Sequence, residues 1–126
     1  MGSVFLLDLA SQQSRWLSLR QTALAGNISN VATPGYRALD VRPFEDVLAR
    51  TGLDMAQTSS GHMRLESAEA RGRVVRSPDT WETTLSGNSV NAEEQLMKSG
   101  EVSRGYALNT GVVRAFHRMM LASVKV

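Results

Sequence analysis

The stretch Asn27–Arg37, NISNVATPGYR, closes the first long helical pattern of the chain, and its reading decides the arrangement of everything after it. Asn30 tolerates the left-handed geometry of a helix end. Pro34 cannot continue a helix and biases Thr33 toward extended conformations. Pro34-Gly35 at the two central positions of a turn favours type II, with Gly35 at positive φ. Tyr36 then has a ring to fold back and a hydroxyl to bond. The amides of Asn27 and Asn30 can bond neighbouring backbone or an adjacent chain. On physical grounds alone this is a helix terminus followed by a turn.

Upstream, the pattern predicts a helix from about Val4 to Val31. Leu7, Ala10, Ser14, Leu17, Gln21, Leu24, Ile28 and Val31 follow alternating steps of three and four, a coiled-coil-like seam interrupted by the polar Ser14 and Gln21. A core helix would show the same stripe, but this length is unusual for a small globule and favours packing between chains. Trp16 lies off the main seam, as a satellite core residue or, preferably in an assembly subunit, an interface anchor.

Downstream, all three prolines (Pro34, Pro43, Pro78) fall between residues 33 and 87, together with Gly35, Gly52, Gly61, Gly72 and Gly87. That punctuation predicts an irregular segment. It holds one short helix over Pro43–Arg50, Pro43 at its first position, and short strands around Met63–Leu65, Arg73–Arg76 and Trp81–Leu85. From about Ser89 to Val126 a second long helix is expected. Ser89 or Asn91 can cap it, and Glu93 and Glu94 fall in the first turn, where the helix dipole favours acids. Two adjacent apolar rows follow: Val102, Tyr106, Asn109, Val113, Phe116 and Met120, and beside them Leu108, Val112, Ala115, Met119 and Ala122. The double row makes a face broader than one partner helix needs. Gly100, Gly105 and Gly111 fit either a weak, kinked helix or close backbone approach between crowded helices. The expected fold is therefore mainly α. An N-terminal helix (1–32) and a C-terminal helix (88–126) pair as a coiled-coil-like layer, and an irregular middle segment (33–87) joins them.

Composition narrows the function. The chain is 126 residues long, which suits a single small domain. Only 6% of residues are aromatic, so those that dominate cores are scarce. A formal net charge of +2 arises from 14 basic and 12 acidic residues, and no segment concentrates charge enough for a duplex footprint. Cysteine is absent, which removes disulfides, thiolate metal sites and cysteine nucleophiles. The N-terminal run MGSVFLLDLASQQ lacks a basic region and contains Asp8, so no cleaved signal peptide is expected. His62 and His117 are isolated, and neither a HExxH nor a GxSxG pattern exists. No catalytic residues, metal, cofactor or small-molecule substrate are expected, and the chain is not read as an enzyme.

With these residues in view, LAGNISNVATPGYRALDVRPFEDVL resembles the N-terminal motif of bacterial flagellar axial proteins, the rod and hook group. Leu24, Ala25, Asn27, Asn30, Thr33, Pro34, Gly35 and Tyr36 meet every fixed position of that motif. Within the group the chain is most similar to proximal rod proteins of the FlgB type, with the sister proximal rod protein, or another axial component, as the nearest rival. It is short and lacks large inserted domains. QTSSGHMRLE resembles that type's Thr-x-x-x-His segment through Thr58 and His62. GNSVNAEEQLMK (Gly87–Lys98) resembles its lead-in to the C-terminal helix, with Gln95 where an acid is frequent.

The resemblance implies a structural subunit at the base of the flagellar rod, in the periplasm. It would be exported through the type III gate without a cleaved signal and polymerise helically to transmit torque. It implies as partners further copies of itself, other proximal and distal rod proteins, the inner-membrane ring protein and the rod-to-ring adaptor. It implies that the two long helices form a shared inner layer, and the periodic rows put Leu7, Leu17, Ile28, Val31, Val102, Tyr106, Val113, Phe116 and Met120 at the helix-packing interface. An export-gate pattern, Phe-x-x-x-apolar, is met by Phe44 and Leu48, and again by Phe5 and Leu9, with Val4–Leu7 as an N-terminal signal. Full helix formation is expected only among neighbours. A basic helical module for nucleic acid or membrane is the alternative from a different class, and it would show salt-sensitive binding.

Overall fold

A computed structural model describes residues 2–50, 74–78 and 80–124. Five elements follow in order: α1 (Gly2–Ser29), β1 (Leu39–Val41), α2 (Phe44–Arg50), β2 (Val74–Arg76) and α3 (Ala92–Val124). The chain is mainly helical. The helices α1 and α3 pack antiparallel: Asn27 meets Gln95 near one end, Arg20 meets Glu101, and Ser14 meets Asn109 farther along. The expected strand at Met63–Leu65, the residues Thr58, His62 and Arg73, and the side chain of Val4 lie outside what is described.

The helix boundaries follow from local chemistry. Asn91 caps α3: its Oδ1 accepts from the Glu93 and Glu94 amides at 2.9 and 3.2 Å. Ser89, the other capping candidate, is engaged elsewhere. The carbonyl of Pro43 accepts from Asp46 and Val47, so Pro43 precedes α2 rather than opening it. The loop after α1 turns as the Pro-Gly pair predicts. Gly35 has φ 72°, and the Tyr36 amide donates to the Thr33 carbonyl at 3.3 Å.

The strands β1 and β2 pair antiparallel, with Leu39 opposite Arg76 and Val41 opposite Val74. The expected strand over Trp81–Leu85 does not form. There the Trp81 amide donates to the Glu94 carboxylate and the Thr84 amide to the Asn88 carbonyl. The Gly87 amide closes a turn on Thr84 at 2.8 Å, with Gly87 at φ 81°. The segment's backbone groups are thus taken by a turn and a helix N-terminus, not by a ladder.

Leu17, Leu24 and Val102 form the core, with Trp16 and Tyr106 packed against it. The seam on α1 departs from the strict three-four pattern. Ala10, Leu17 and Leu24 are buried, but Gln21, Ile28 and Val31 are exposed, and Ala23 and Asn27 are buried instead. The cause is the chain's return after Tyr36. It lays β1 along the C-terminal half of α1 and turns the covered face of that half toward Ala23 and Asn27.

Two of the three glycines of α3 separate the readings open for them. A Cβ at Gly105 would sit 3.0 Å from Leu17 Cδ2, so here the helices approach closely. Gly111 has open space, with nothing within 4 Å of an added Cβ. Gly111→Ala is therefore expected to raise stability in urea unfolding by about 1 kcal/mol through helix propensity alone. At Gly105→Ala the same gain is offset by crowding against Leu17. A destabilising Gly111→Ala would show that α3 is not a continuous helix there.

Candidate functional site

The closed end of the helical hairpin is a joint between two turns far apart in sequence. Its first half is the motif Asn27–Tyr36, and its second is Ser86–Gln95. Asn27 is fully buried. Its Nδ2 donates to the Leu39 carbonyl at 2.7 Å and to Gln95 Oε1 at 2.8 Å, and its Oδ1 accepts from the Leu39 amide at 2.9 Å. The Ala38 carbonyl accepts from Ser77 on the β2 side, so Leu39 points its polar groups the other way. The Asn27 amide occupies the place of a third strand and satisfies both backbone groups of Leu39. Gln95 is as deeply buried, and its Nε2 has no hydrogen-bond partner.

Asn88 supplies the complementary lock. Its Nδ2 reaches the carbonyls of Asn30, Val31 and Thr33 at 2.9, 3.1 and 2.7 Å, and its Oδ1 accepts from the Val90 amide at 2.7 Å. The carbonyls left over where α1 ends are thus capped by a residue 58 positions downstream of Asn30. Backbone bonds add to this. The Gly35 amide donates to Ser86 at 2.9 Å, and the Ser89 amide to Tyr36 at 3.0 Å, while Ser89 Oγ accepts from the Ala38 amide. Both turns place a glycine at positive φ, Gly35 at 72° and Gly87 at 81°, where a side chain would be strained.

The remaining motif residues serve the same turn. Asn30 Nδ2 donates to Gly26, and Asn30 Oδ1 accepts from the Thr33 hydroxyl. Tyr36 folds back so that its hydroxyl lies 4.0 Å from the place of a Cβ on Gly26. Leu24 is in the core, whereas Ala25, Thr33, Pro34 and Gly35 are exposed.

A charged cluster ties the joint to the helices. Asp40 on β1 takes Arg20 of α1 at 3.1 Å and Lys98 of α3 at 3.4 Å. Lys98 also meets Glu94 at 2.8 Å, and Arg20 reaches Glu101 at 3.3 Å. The Arg20 guanidinium lies 5.6 Å from the Trp16 ring centroid. Trp16 donates to the Arg42 carbonyl at 2.7 Å, and its ring sits 5.9 Å from that of Phe44. The preference for Trp16 as an anchor between chains is thus corrected, because its indole is engaged within the chain.

Of the helix-packing residues, Leu17, Val102 and Tyr106 meet across α1 and α3, and Val113 and Phe116 are half-buried. Leu7, Ile28, Val31 and Met120 are exposed. Tyr106 and Asn109 bond Ser14, so the polar interruption of the seam has its own partners. The second row of α3 is uncovered, with Leu108 69% and Met119 62% exposed. Phe44 is half-buried under Trp16, and Leu48 and Phe5 are exposed. Asn88, Asp40 and Lys98 are joint residues not singled out from the sequence, and Ser89 was read only as a helix cap. The signal available was a pair of small polar residues, Asn88-Ser89, placed between Gly87 and Val90 with no helix to solvate them.

Among the described residues, no group of three or more His, Cys, Asp or Glu side chains is arranged to hold a metal, and no helix is long and apolar enough to cross a membrane. Asn91 and Glu93 of the joint line an open cavity with Glu82, Thr84, Val90 and Ala92, while the joint's buried groups are spent on hydrogen bonds between its own two turns. What it can do is fix the helices rigidly and leave apolar surface outside.

Comparison with known proteins gives two informative relatives. The chain is 42% identical over 129 residues, 99% of its length and 96% of the relative's, to the flagellar basal body rod protein FlgB of Agrobacterium fabrum (strain C58). It is 31% identical over 104 residues, 75% of its length and 74% of the relative's, to the flagellar basal body rod protein FlgB of Salmonella typhimurium (strain LT2). No family model matches the chain.

Proposed function

The chain belongs to the FlgB family of flagellar basal body rod proteins, and on that premise we propose that it is a non-enzymatic structural subunit of the proximal rod. Copies polymerise helically, together with the other proximal and distal rod proteins. They pass torque from the inner-membrane ring, through the rod-to-ring adaptor, toward the distal rod and hook. The subunit leaves the cytoplasm through the type III export gate without a cleaved signal and works in the periplasmic part of the basal body. Phe44 and Leu48 are the proposed gate contact. Burial of Phe44 under Trp16 makes that contact one of the unfolded chain.

The observation that carries this reading is the uncovered row Leu108, Val112 and Met119 on a helix whose adjacent face is already packed on α1. An apolar strip of this length on one side of a hairpin suits burial by a neighbour. The joint supports a torque-bearing role, since its buried amides pair with backbone rather than with mobile side chains alone.

Deletion of the gene and electron microscopy of isolated basal bodies test the reading. Inner-membrane rings without a rod, in cells that neither swim nor grow filaments, are expected. Complementation with Leu108→Asp/Met119→Asp should leave the purified chain folded, within about 0.5 kcal/mol for each exposed position, yet reduce swimming at least about tenfold. Normal rods from that variant would remove the row from the assembly.

A further inference from the structure

The C-terminal part of α3 has a second outward property that rod packing does not require. From Val102 to Val124 there is no acidic residue, and the charged groups are Arg104, Arg114 and Arg118. None of the three arginines has an ion pair with a carboxylate among the described residues. At helical spacing Arg104, Gly111 and Arg118 share one line, directly away from the face that Val102, Tyr106 and Asn109 turn to α1. Arg114 and Leu121 flank that line on one side, and Leu108, Ala115 and Met119 on the other. Leu108, Met119 and Leu121 are all more than half exposed.

We propose that this outward face of α3 binds the surface of an anionic phospholipid bilayer before the subunit is built into an assembly. Charge complementarity selects the occupant. Unpaired arginines on an exposed helix are drawn to a negative headgroup layer. Their aliphatic stems let the guanidinium groups stay among the headgroups while Leu108, Met119 and Leu121 enter the acyl boundary. A second copy of the chain is the less suited occupant of this line, because the outward side of α1 carries Asp8 beside Arg15 and no row of carboxylates to receive three arginines. The inference does not rest on the proposed rod function.

The test uses the purified full chain with vesicles of phosphatidylcholine alone or with one-third phosphatidylglycerol. Co-sedimentation is expected with the anionic vesicles only and should fall steeply with added salt. Arg114→Glu/Arg118→Glu should weaken the partition coefficient by at least about 25-fold, roughly fivefold for each positive charge removed, while Arg15→Glu on α1 leaves it nearly unchanged. In L121W, indole emission should shift to the blue on anionic vesicles. Equal binding to both vesicles, or anionic binding that ignores the Arg114/Arg118 reversal, would overturn the proposal. So would self-association of the chain in solution that is lost on that reversal, because it would assign the face to a second copy.

Discussion

Asn27→Ala is expected to lower the unfolding free energy by about 3 kcal/mol in urea titration followed by circular dichroism. The truncation leaves three groups without their partner: the half-buried Leu39 amide and carbonyl, and the buried Gln95 Oε1. An orphaned buried polar group costs about 1–3 kcal/mol, and a water entering the vacated space would recover part of that. For a domain with a total stability of about 5–15 kcal/mol, this is a large fraction. Gln95 makes the site more sensitive still, since its Nε2 is already unpaired. A loss below about 1 kcal/mol would mean that the Leu39 backbone finds water as readily as it finds Asn27.

That single residue also shows how far the sequence could be read. Its place in a helix that stops at a Pro-Gly turn was legible, because Pro34 and Gly35 act through local sterics on their neighbours. The type II geometry and the Asn91 cap were legible for the same reason. What Asn27 bonds was not. Its partners Leu39 and Gln95 lie 12 and 68 positions away, and an asparagine amide fits a backbone, a side chain or another chain equally well. The three-residue strands were only partly visible: a run as short as Leu39–Val41 has no measurable alternation, and its pairing with Val74–Arg76 is set by what folds over it. Conversely, Trp81–Leu85 carries the composition of a strand but has no edge to join. Its backbone is claimed by Glu94, Asn88 and the Gly87 turn. The wide face of α3 was legible as a double row, yet periodicity could not say which row α1 would cover. That choice is made by Gly105, which lets Leu17 approach beside Val102 and leaves Leu108, Val112 and Met119 outside.

Asn88 carries the second large effect, and its variants separate capping from mere polarity. Asn88→Ala is expected to cost about 2 kcal/mol, less than Asn27→Ala. It strands the Val31 carbonyl and the buried Val90 amide, whereas the Asn30 and Thr33 carbonyls keep the Thr33 and Tyr36 amides, and the three carbonyls are partly open so that water can reach them. Asn88→Asp should be worse by a further kcal/mol or so, although it is closer in shape. The carboxylate keeps the Val90 bond. It also sets a negative charge against the carbonyls of Asn30, Val31 and Thr33, at the negative end of the α1 dipole. Reversed ranking of the two variants in urea unfolding would show that the carbonyls are solvated and that Asn88 acts through Val90 alone. Asn27 and Asn88 grip the same return of the chain, from the helix side and from the loop side. The double variant should therefore depart from additivity by about 0.5 kcal/mol or more. Strict additivity would mean two independent fastenings. On the proposed role in passing torque, a joint that yields as one unit is what the subunit requires, because torque applied to α3 would otherwise be lost in the turn at Thr33–Tyr36 before it reached α1.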